Sequence, residues 1–189
     1  EGMMGYDQNP VFSPDGKWLA WESMEHDGYE SDKSRLFVMD VKTGEKKDVS
    51  AAFDQNSNGL KWSVDGQSIY FISCYHAVTQ IYRADLKDGK IMPVTKGVHD
   101  YGTVIPMKNQ LIGVKQSMSK PDEIYAINAS TGEEKELSFE NKDILDKLEM
   151  GKVEERWITT TDNKQMHTWV IYPPHFDPAK KYPTLLFCE

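Results

Sequence analysis

The chain has 189 residues, of which 39% are hydrophobic and 28% are charged, the proportions of a folded globular protein. Its net charge of −8 argues against a nucleic-acid partner, because such a partner requires clustered lysine and arginine side chains. No apolar run approaches the roughly 18 residues that a membrane span needs, and Cys74 and Cys188 lack zinc-site spacing, so both are predicted to be buried free thiols.

The first elements form a repeat. The stretch FSPDGKWLAW at residues 12–21 returns as WSVDGQSIYF at residues 62–71. A third, weaker copy has Lys108-Asn109 in place of Asp-Gly, and Asn also tolerates a positive φ. The three copies end in LFVMDVKTGEKKDV, IYRADLKDGKIMPV and IYAINASTGEEKEL, each of which predicts a strand, a glycine turn and a second strand.

Each copy therefore predicts four short strands, which in the first copy are residues 10–13, 17–23, 35–41 and 46–50. A four-stranded unit that repeats about every 43–50 residues is typical of a β-propeller blade. The aromatic residues of the repeat are interpreted as packing residues between blades: Trp18, Trp21, Trp62, Tyr70 and Phe71. Three blades do not close a ring, so we expect further blades outside this sequence.

The pattern changes after residue 138. Asn141 is placed to cap a short helix that ends at Gly151, and three strand candidates follow at residues 154–161, 165–172 and 184–188. The prediction is a mainly β chain with a partial propeller at 1–138, a linker helix at 139–152 and the first strands of an incomplete α/β-hydrolase domain at 153–189. Because the chain has no initiator Met or signal peptide and stops after an apolar run, we expect it to be a fragment.

Catalytic motifs are missing from the sequence. It contains no GxSxG, GxGxxG, phosphate-binding loop or HExxH, and its five histidines have no metal-ligand spacing. The residues alone therefore predict no catalytic residue, no metal site and no cofactor.

One insertion departs from the repeat, at residues 22–35. It carries five acidic residues: Glu22, Glu25, Asp27, Glu30 and Asp32. One interpretation is a solvated acidic loop. The other is a loop whose carboxylates hold a cation such as the N-terminal ammonium of a peptide.

The order of blades, linker helix, hairpin and WVIYPPHFDPAKKYPTLLFCE resembles the prolyl oligopeptidase family of serine peptidases. The residues that match the family pattern are Pro174, Phe176, Asp177, Lys180, Lys181, Tyr182 and Pro183. Glu189 would begin the Gly-Gly-Pro turn that follows in the family. The insertion resembles that of the bacterial dipeptidyl-peptidase branch.

This resemblance implies a parent hydrolase that cleaves short peptides with a Ser-His-Asp triad and releases N-terminal dipeptides. In family order the triad follows Glu189, so the fragment itself is expected to be inactive. Tyr29 and Glu30 are the candidate residues for binding the substrate amine. The resemblance also implies a periplasmic location, with the cytoplasm as the alternative.

Two other functions remain open. One is an acylaminoacyl-peptidase or oligopeptidase of the same family, and the other is a non-catalytic binding propeller like TolB, whose repeats share the SPDG turn. The expected partner is a peptide substrate, with no nucleic acid and no membrane span. The fragment is also expected to self-associate through exposed strand edges.

Overall fold

The computed structural model describes residues 5–188, and its first unit, which extends to Glu140, contains three four-stranded antiparallel sheets. The first sheet comprises β1 (Asp7–Phe12), β2 (Trp18–Ser23), β3 (Arg35–Asp40) and β4 (Lys46–Asp48). The second comprises β5 (Asn58–Trp62), β6 (Ser68–Tyr75), β7 (Val78–Asp85) and β8 (Ile91–Pro93). The third comprises β9 (Asp100–Pro106), β10 (Gln110–Ser117), β11 (Lys120–Asn128) and β12 (Glu134–Glu136). Strands are adjacent in chain order within every sheet, which confirms the predicted mainly β repeat of blades.

The repeated Ser-x-Asp-Gly sequence closes the first turn of two blades. The Ser13 hydroxyl donates to Asp15 Oδ1 at 2.7 Å and accepts a hydrogen bond from the N–H of Trp18 at 3.0 Å. Ser63 donates to Asp65 in the same way at 2.6 Å in the second blade. The serine and the aspartate therefore satisfy the polar groups of the turn, which is why both recur.

The third blade closes its first turn differently. The Met107 N–H donates to the Gln110 carbonyl at 2.8 Å across the turn. Asn109 is not among the described residues that have a positive φ, so the expectation that it replaces the glycine conformation is wrong. A turn of this kind needs no left-handed residue.

A second repeated feature, which the sequence analysis missed, is a serine or threonine just after the fourth strand. Its hydroxyl oxygen accepts a hydrogen bond from a backbone N–H of the third strand. The contacts are Leu36 N–H to Ser50 Oγ at 2.8 Å, Ile81 N–H to Thr95 Oγ1 at 3.0 Å and Ile124 N–H to Ser138 Oγ at 2.8 Å. Aligning the segments KKDVS, IMPVT and KELS reveals the repeated hydroxyl. Each hydroxyl extends the ladder where the short outer strand has ended.

Apolar side chains pack between neighbouring blades in two clusters. The first, between blades one and two, includes Leu36, Leu60 and Phe71, and the second, between blades two and three, includes Tyr101 and Leu111. Burying these faces is the main stabilising contribution to the blade stack.

The aromatic residues of the repeat divide between core and surface. Trp62, Tyr70 and Phe71 are buried, as predicted. Trp21 is half-buried and its indole N–H donates to Asp7 at 2.9 Å. Trp18, the first residue of β2, is 38% exposed and lines a surface pocket between the first and second blades, so its predicted core role is wrong.

Polar contacts show that the blades are stacked with the same orientation. The N–H of Ser34, before β3, donates to Asn56 at 2.8 Å, and the N–H of Thr79, in β7, donates to Asp100 at 2.7 Å. In both cases the start of a blade's third strand meets the start of the next blade's first strand. The connections between second and third strands therefore lie along one edge, here called the hairpin rim: residues 24–34, 76–77 and 118–119.

The second unit begins at Asn141. It contains α1 (Lys142–Leu145) and an antiparallel pair, β13 (Val153–Thr159) and β14 (Gln165–Ile171). A helix with Asn141 as its N-cap is confirmed, although Asn141 makes no side-chain capping bond. Its predicted end at Gly151 is wrong, because the helix is a single turn that ends at Leu145. The predicted hairpin is confirmed, and Asn163 in its turn has a positive φ of 62°. The boundaries of a separate linker at 139–152 stay a prediction.

The expected strand at residues 184–188 is not found. Residues 184–188 form no strand with any described part of the chain, and Leu185, Leu186 and Phe187 are 99, 88 and 83% exposed. An apolar sequence forms a strand only when another strand pairs with it.

The prediction that both cysteines are buried is wrong, because both are exposed. Cys74 lies near the end of β6 beyond the packed core, and Cys188 belongs to the unpaired segment. Glu189 lies outside the described residues.

Candidate functional site

The acidic insertion on the hairpin rim is fixed firmly at its C-terminal end. The Lys33 ammonium group donates to the carbonyls of Ser50 at 3.1 Å and Phe53 at 2.9 Å. The Arg35 Nε donates to the Ser23 carbonyl at 3.2 Å. The loop is therefore held by the connection that leads into the second blade as well as by its own sheet.

Asp32 closes the loop on itself. Its carboxylate accepts hydrogen bonds from the His26 N–H at 2.5 Å and lies 3.0 Å from the His26 Nδ1. The Asp32 N–H donates to the Tyr29 carbonyl at 3.0 Å, and the Tyr29 ring meets the His26 ring edge-to-face at 6.3 Å. These contacts make the tip a closed turn that projects Tyr29 and Glu30.

The electrostatics of Asp32 reflect this closure. Desolvation acts to raise the pKa of its carboxyl group, but the hydrogen bonds from His26 and the charge of that ring outweigh it, so the pKa is lowered. Asp32 is therefore an anion whose carboxylate is already bound by His26.

The five acidic residues of the insertion have different fates. Glu22 is buried and bonded within the propeller, Asp32 is bound to His26, and Glu25 lies 4.0 Å from the Arg35 guanidinium. Asp27 and Glu30 are exposed and make no hydrogen bond or ion pair with the described residues 5–188. Two carboxylates of the loop are thus open to an external cation.

The structure places the predicted pair Tyr29 and Glu30 next to each other at the loop tip, with Tyr29 57% exposed. This arrangement offers a carboxylate beside an aromatic ring, both of which attract an ammonium group. The assignment of these residues to substrate binding stays a prediction.

Sequence reasoning missed a second feature of the rim, the hairpin tip of the second blade. Tyr75 pairs with Val78, which leaves His76 and Ala77 as a two-residue turn with positive φ values of 51° and 54°. The rings of Tyr75 and His76 stack with centroids 3.8 Å apart. The signal in the sequence was a pair of strand-like segments joined by two residues, neither of which is glycine or asparagine.

A polar cluster links three strands and a loop of the third blade. Glu134 accepts hydrogen bonds from the Tyr101 hydroxyl at 2.7 Å and from the Lys115 ammonium group, and His99 Nε2 lies 3.4 Å from it. Burial lowers the pKa of His99 despite the Glu134 charge. Burial, together with the hydrogen bond to Glu134, raises the pKa of Tyr101.

This cluster borders a cavity of about 240 Å³ lined by His99, Lys115, Lys120 and Tyr125. Lys120 pairs with Glu136 as Lys115 pairs with Glu134, so the positive charges beside the cavity are already compensated. We interpret the cluster as a structural tie within the blade.

Two further features concern ligands and membranes. Within residues 5–188, no three His, Cys, Asp or Glu side chains converge as a metal site would require. None of the described helical segments has the length and apolar character of a membrane span.

Comparison with known proteins identifies relatives of this segment. No family model matches the chain. The chain is 46% identical, over all 189 of its residues, to dipeptidyl-peptidase 5 of Porphyromonas gingivalis and spans 28% of that protein's length. This match confirms the resemblance to the dipeptidyl-peptidase branch of the prolyl oligopeptidase family.

Solved structures agree on the fold. An acylaminoacyl peptidase of Pyrococcus horikoshii superposes with a TM-score of 0.73 at 22% identity, over 93% of this chain and 26% of its own. TolB of Acinetobacter baumannii superposes with a TM-score of 0.55 at 20% identity, over 72% of this chain and 33% of its own. Both similarities support the propeller, and the first covers a larger share of the chain.

Proposed function

We propose that these 189 residues are part of a propeller-capped serine peptidase that releases dipeptides from the N-terminus of short peptides. The observation that carries this proposal is the 46% identity with a dipeptidyl-peptidase along the whole chain. The nucleophile, base and oxyanion donors come from sequence that follows residue 189, and the segment alone is inactive. We place the parent protein in the periplasm.

In this proposal the hairpin rim faces the peptide. Glu30, assisted by Asp27, holds the free N-terminal ammonium, and the Tyr29 ring lies beside the same charge. The support is that both carboxylates are exposed and are not used by the internal contacts described for the loop. Binding the amine at a fixed place sets the distance between the peptide's N-terminus and the nucleophile. The bond after the second residue is then the one that lies at the nucleophile.

The peptidase class is tested on the natural reading frame that contains this segment. The protein is treated with a fluorophosphonate probe and its intact mass is measured, with the 189-residue chain as the control. We expect one covalent adduct on the longer protein and none on the segment. A folded longer protein without an adduct would contradict the proposal and favour a binding propeller.

The exopeptidase assignment is tested with one peptide in two forms, with a free and with an acetylated N-terminus. We expect release of a dipeptide from the free form only. Glu30→Gln is expected to raise KM for the free peptide about 10-fold, as is typical for loss of one charge-assisted contact. Glu45→Gln, at an exposed turn on the opposite edge of the first blade, is the matched control.

The second candidate is an acylaminoacyl-peptidase, which the superposition with the Pyrococcus horikoshii enzyme favours at the level of the fold. Release of an acetylated amino acid from the acetylated peptide would support it over dipeptide release. A TolB-like binding module is less well supported, because the TolB superposition covers 72% of the chain against 93% for the peptidase.

A further inference from the structure

The two-residue turn at the tip of the second blade is conformationally unfavourable. A two-residue hairpin with both φ values positive favours Asn-Gly, because the Cβ of other residues approaches the backbone in the left-handed region. Here the turn residues are His76 and Ala77, at 51° and 54°. Histidine visits this region more readily than most residues, but alanine does so rarely.

The paired strands hold the turn in place. The register between β6 and β7 is continuous from Ser68–Asp85 to Tyr75–Val78, so the turn closes an unbroken ladder. Nothing in the ladder itself requires the His76 ring, because Asn-Gly would close the same register with less strain. Strand pairing therefore does not explain why histidine and alanine occupy this turn.

A role for the His76 side chain is visible in the ring contact. The imidazole of His76 lies on the phenol ring of Tyr75 with an angle of 23° between the planes, while 49% of Tyr75 remains exposed. A ring supported from one side loses fewer conformations when a ligand covers its other side. The pair thus presents a prearranged flat apolar surface on the hairpin rim.

We infer that Tyr75, held by His76, is a specificity-determining contact for an aromatic or large aliphatic side chain of the peptide substrate. This inference rests on the proposed peptidase function. The insertion that carries Tyr29 and Glu30 belongs to the same rim, one blade earlier. A peptide whose amine is bound by the insertion extends along this rim and can place a side chain against the Tyr75 ring. His76 is a positioning residue in this arrangement.

The test replaces the turn by its favourable sequence in the natural longer protein. The double variant His76→Asn/Ala77→Gly removes the supporting ring and relieves the backbone. We expect its Tm to rise by roughly 2 °C. We expect its KM to rise about 3- to 10-fold for peptides with Phe or Leu, as the loss of one ring contact predicts. For matched peptides with Ser we expect an unchanged KM, and for all peptides a kcat within about twofold.

The control is Ala77→Gly, which relieves one strained residue and keeps the ring. Its Tm should rise while every KM stays unchanged. An unchanged KM for Phe peptides in the double variant overturns the inference, and so does an equal KM rise for Ser peptides. If the wild-type longer protein hydrolyses no peptide, the proposed function fails and this inference fails with it; hydrolysis with unaltered selectivity removes the inference alone.

Discussion

The carboxylate of Glu22 in the first blade accepts a hydrogen bond at 2.8 Å from the backbone N–H of Gly59 in the second. Its other oxygen accepts from the Asn9 amide at 3.1 Å, and the residue is 3% exposed. An acidic residue assigned from sequence to a binding loop is thus a tie between blades. Both carboxylate oxygens accept from donors, whereas a side-chain amide has only one oxygen that can accept.

We therefore expect Glu22→Gln to destabilise the protein by about 1–3 kcal/mol, because the amide turns an NH2 group towards one of the two donors. Urea denaturation of both proteins gives the difference in unfolding free energy. Glu45→Gln, in an exposed turn of the same blade, should change it by less than about 0.5 kcal/mol. Equal values for the two variants would show that the tie is not stabilising.

The repeated hydroxyl gives a second prediction. Ser50→Ala leaves the buried N–H of Leu36 without its acceptor at 2.8 Å and should cost about 1–3 kcal/mol. Ser50→Thr retains the hydroxyl that the second blade uses at Thr95 and should cost much less. Denaturant midpoints of the three proteins measure this order, and an equal loss in both variants would point to packing rather than to the hydrogen bond.

The pH dependence of stability should report on His99. Its pKa is lowered from 6.5 by burial, with Lys115 acting in the same direction and Glu134 and Asp100 acting against it. The unfolded chain therefore binds the proton more readily, so stability falls as pH decreases through about 6.5 and the loss ends below the folded pKa. His99→Gln should flatten the unfolding free energy between about pH 7.5 and 5.5.

His175→Gln is the control for that experiment, because His175 is exposed and lies in the second unit. The pKa values of Asp15 and Glu154 are lowered to about 2, by the hydrogen bond from Ser13 and by that from Lys152 respectively. Their effects appear only in more acidic solutions, as pH falls below about 4. A wild-type curve that is already flat above pH 5.5 would contradict the assignment.

Self-association of the 189-residue chain should depend on the exposed apolar segment 185–187. Leu186→Ser/Phe187→Ser removes side chains that are 88 and 83% exposed and should shift the chain towards monomer. Light scattering over a concentration series measures the mass. Val64→Ser, at an exposed turn of the second blade, is the control and should leave association unchanged. A monomeric wild type would remove the prediction.

The strands were predictable because their signals are local. An Asp-Gly turn beside an apolar run specifies two strands, and the copies confirm one another, so the first blade was located within a few residues. The hairpin of the second unit followed from the same signals. The burial of Cys74 was predicted wrongly because burial depends on which end of a strand meets a neighbour, and that of Cys188 because its segment pairs with no described strand.

The candidate site was only partly predictable. The insertion was visible as a break in the repeat, and its tip does present Tyr29 and Glu30. Which carboxylates remain open was not visible, because Glu22 and Asp32 are satisfied by partners that only the folded chain brings near. The strained tip at His76 was not predictable from turn preferences, because neither His76 nor Ala77 is a residue that favours a two-residue hairpin turn.

The contacts from Ser34 to Asn56 and from Thr79 to Asp100 span 22 and 21 residues. The first and second blades thus each donate a hydrogen bond to a side chain that is synthesised after them. On the ribosome, a blade whose four strands have emerged still lacks this contact until about 20 further residues follow. During translation, completion of a blade's contacts should accordingly lag behind its synthesis by about half a blade. Each blade is stabilised when the first residues of the next blade emerge.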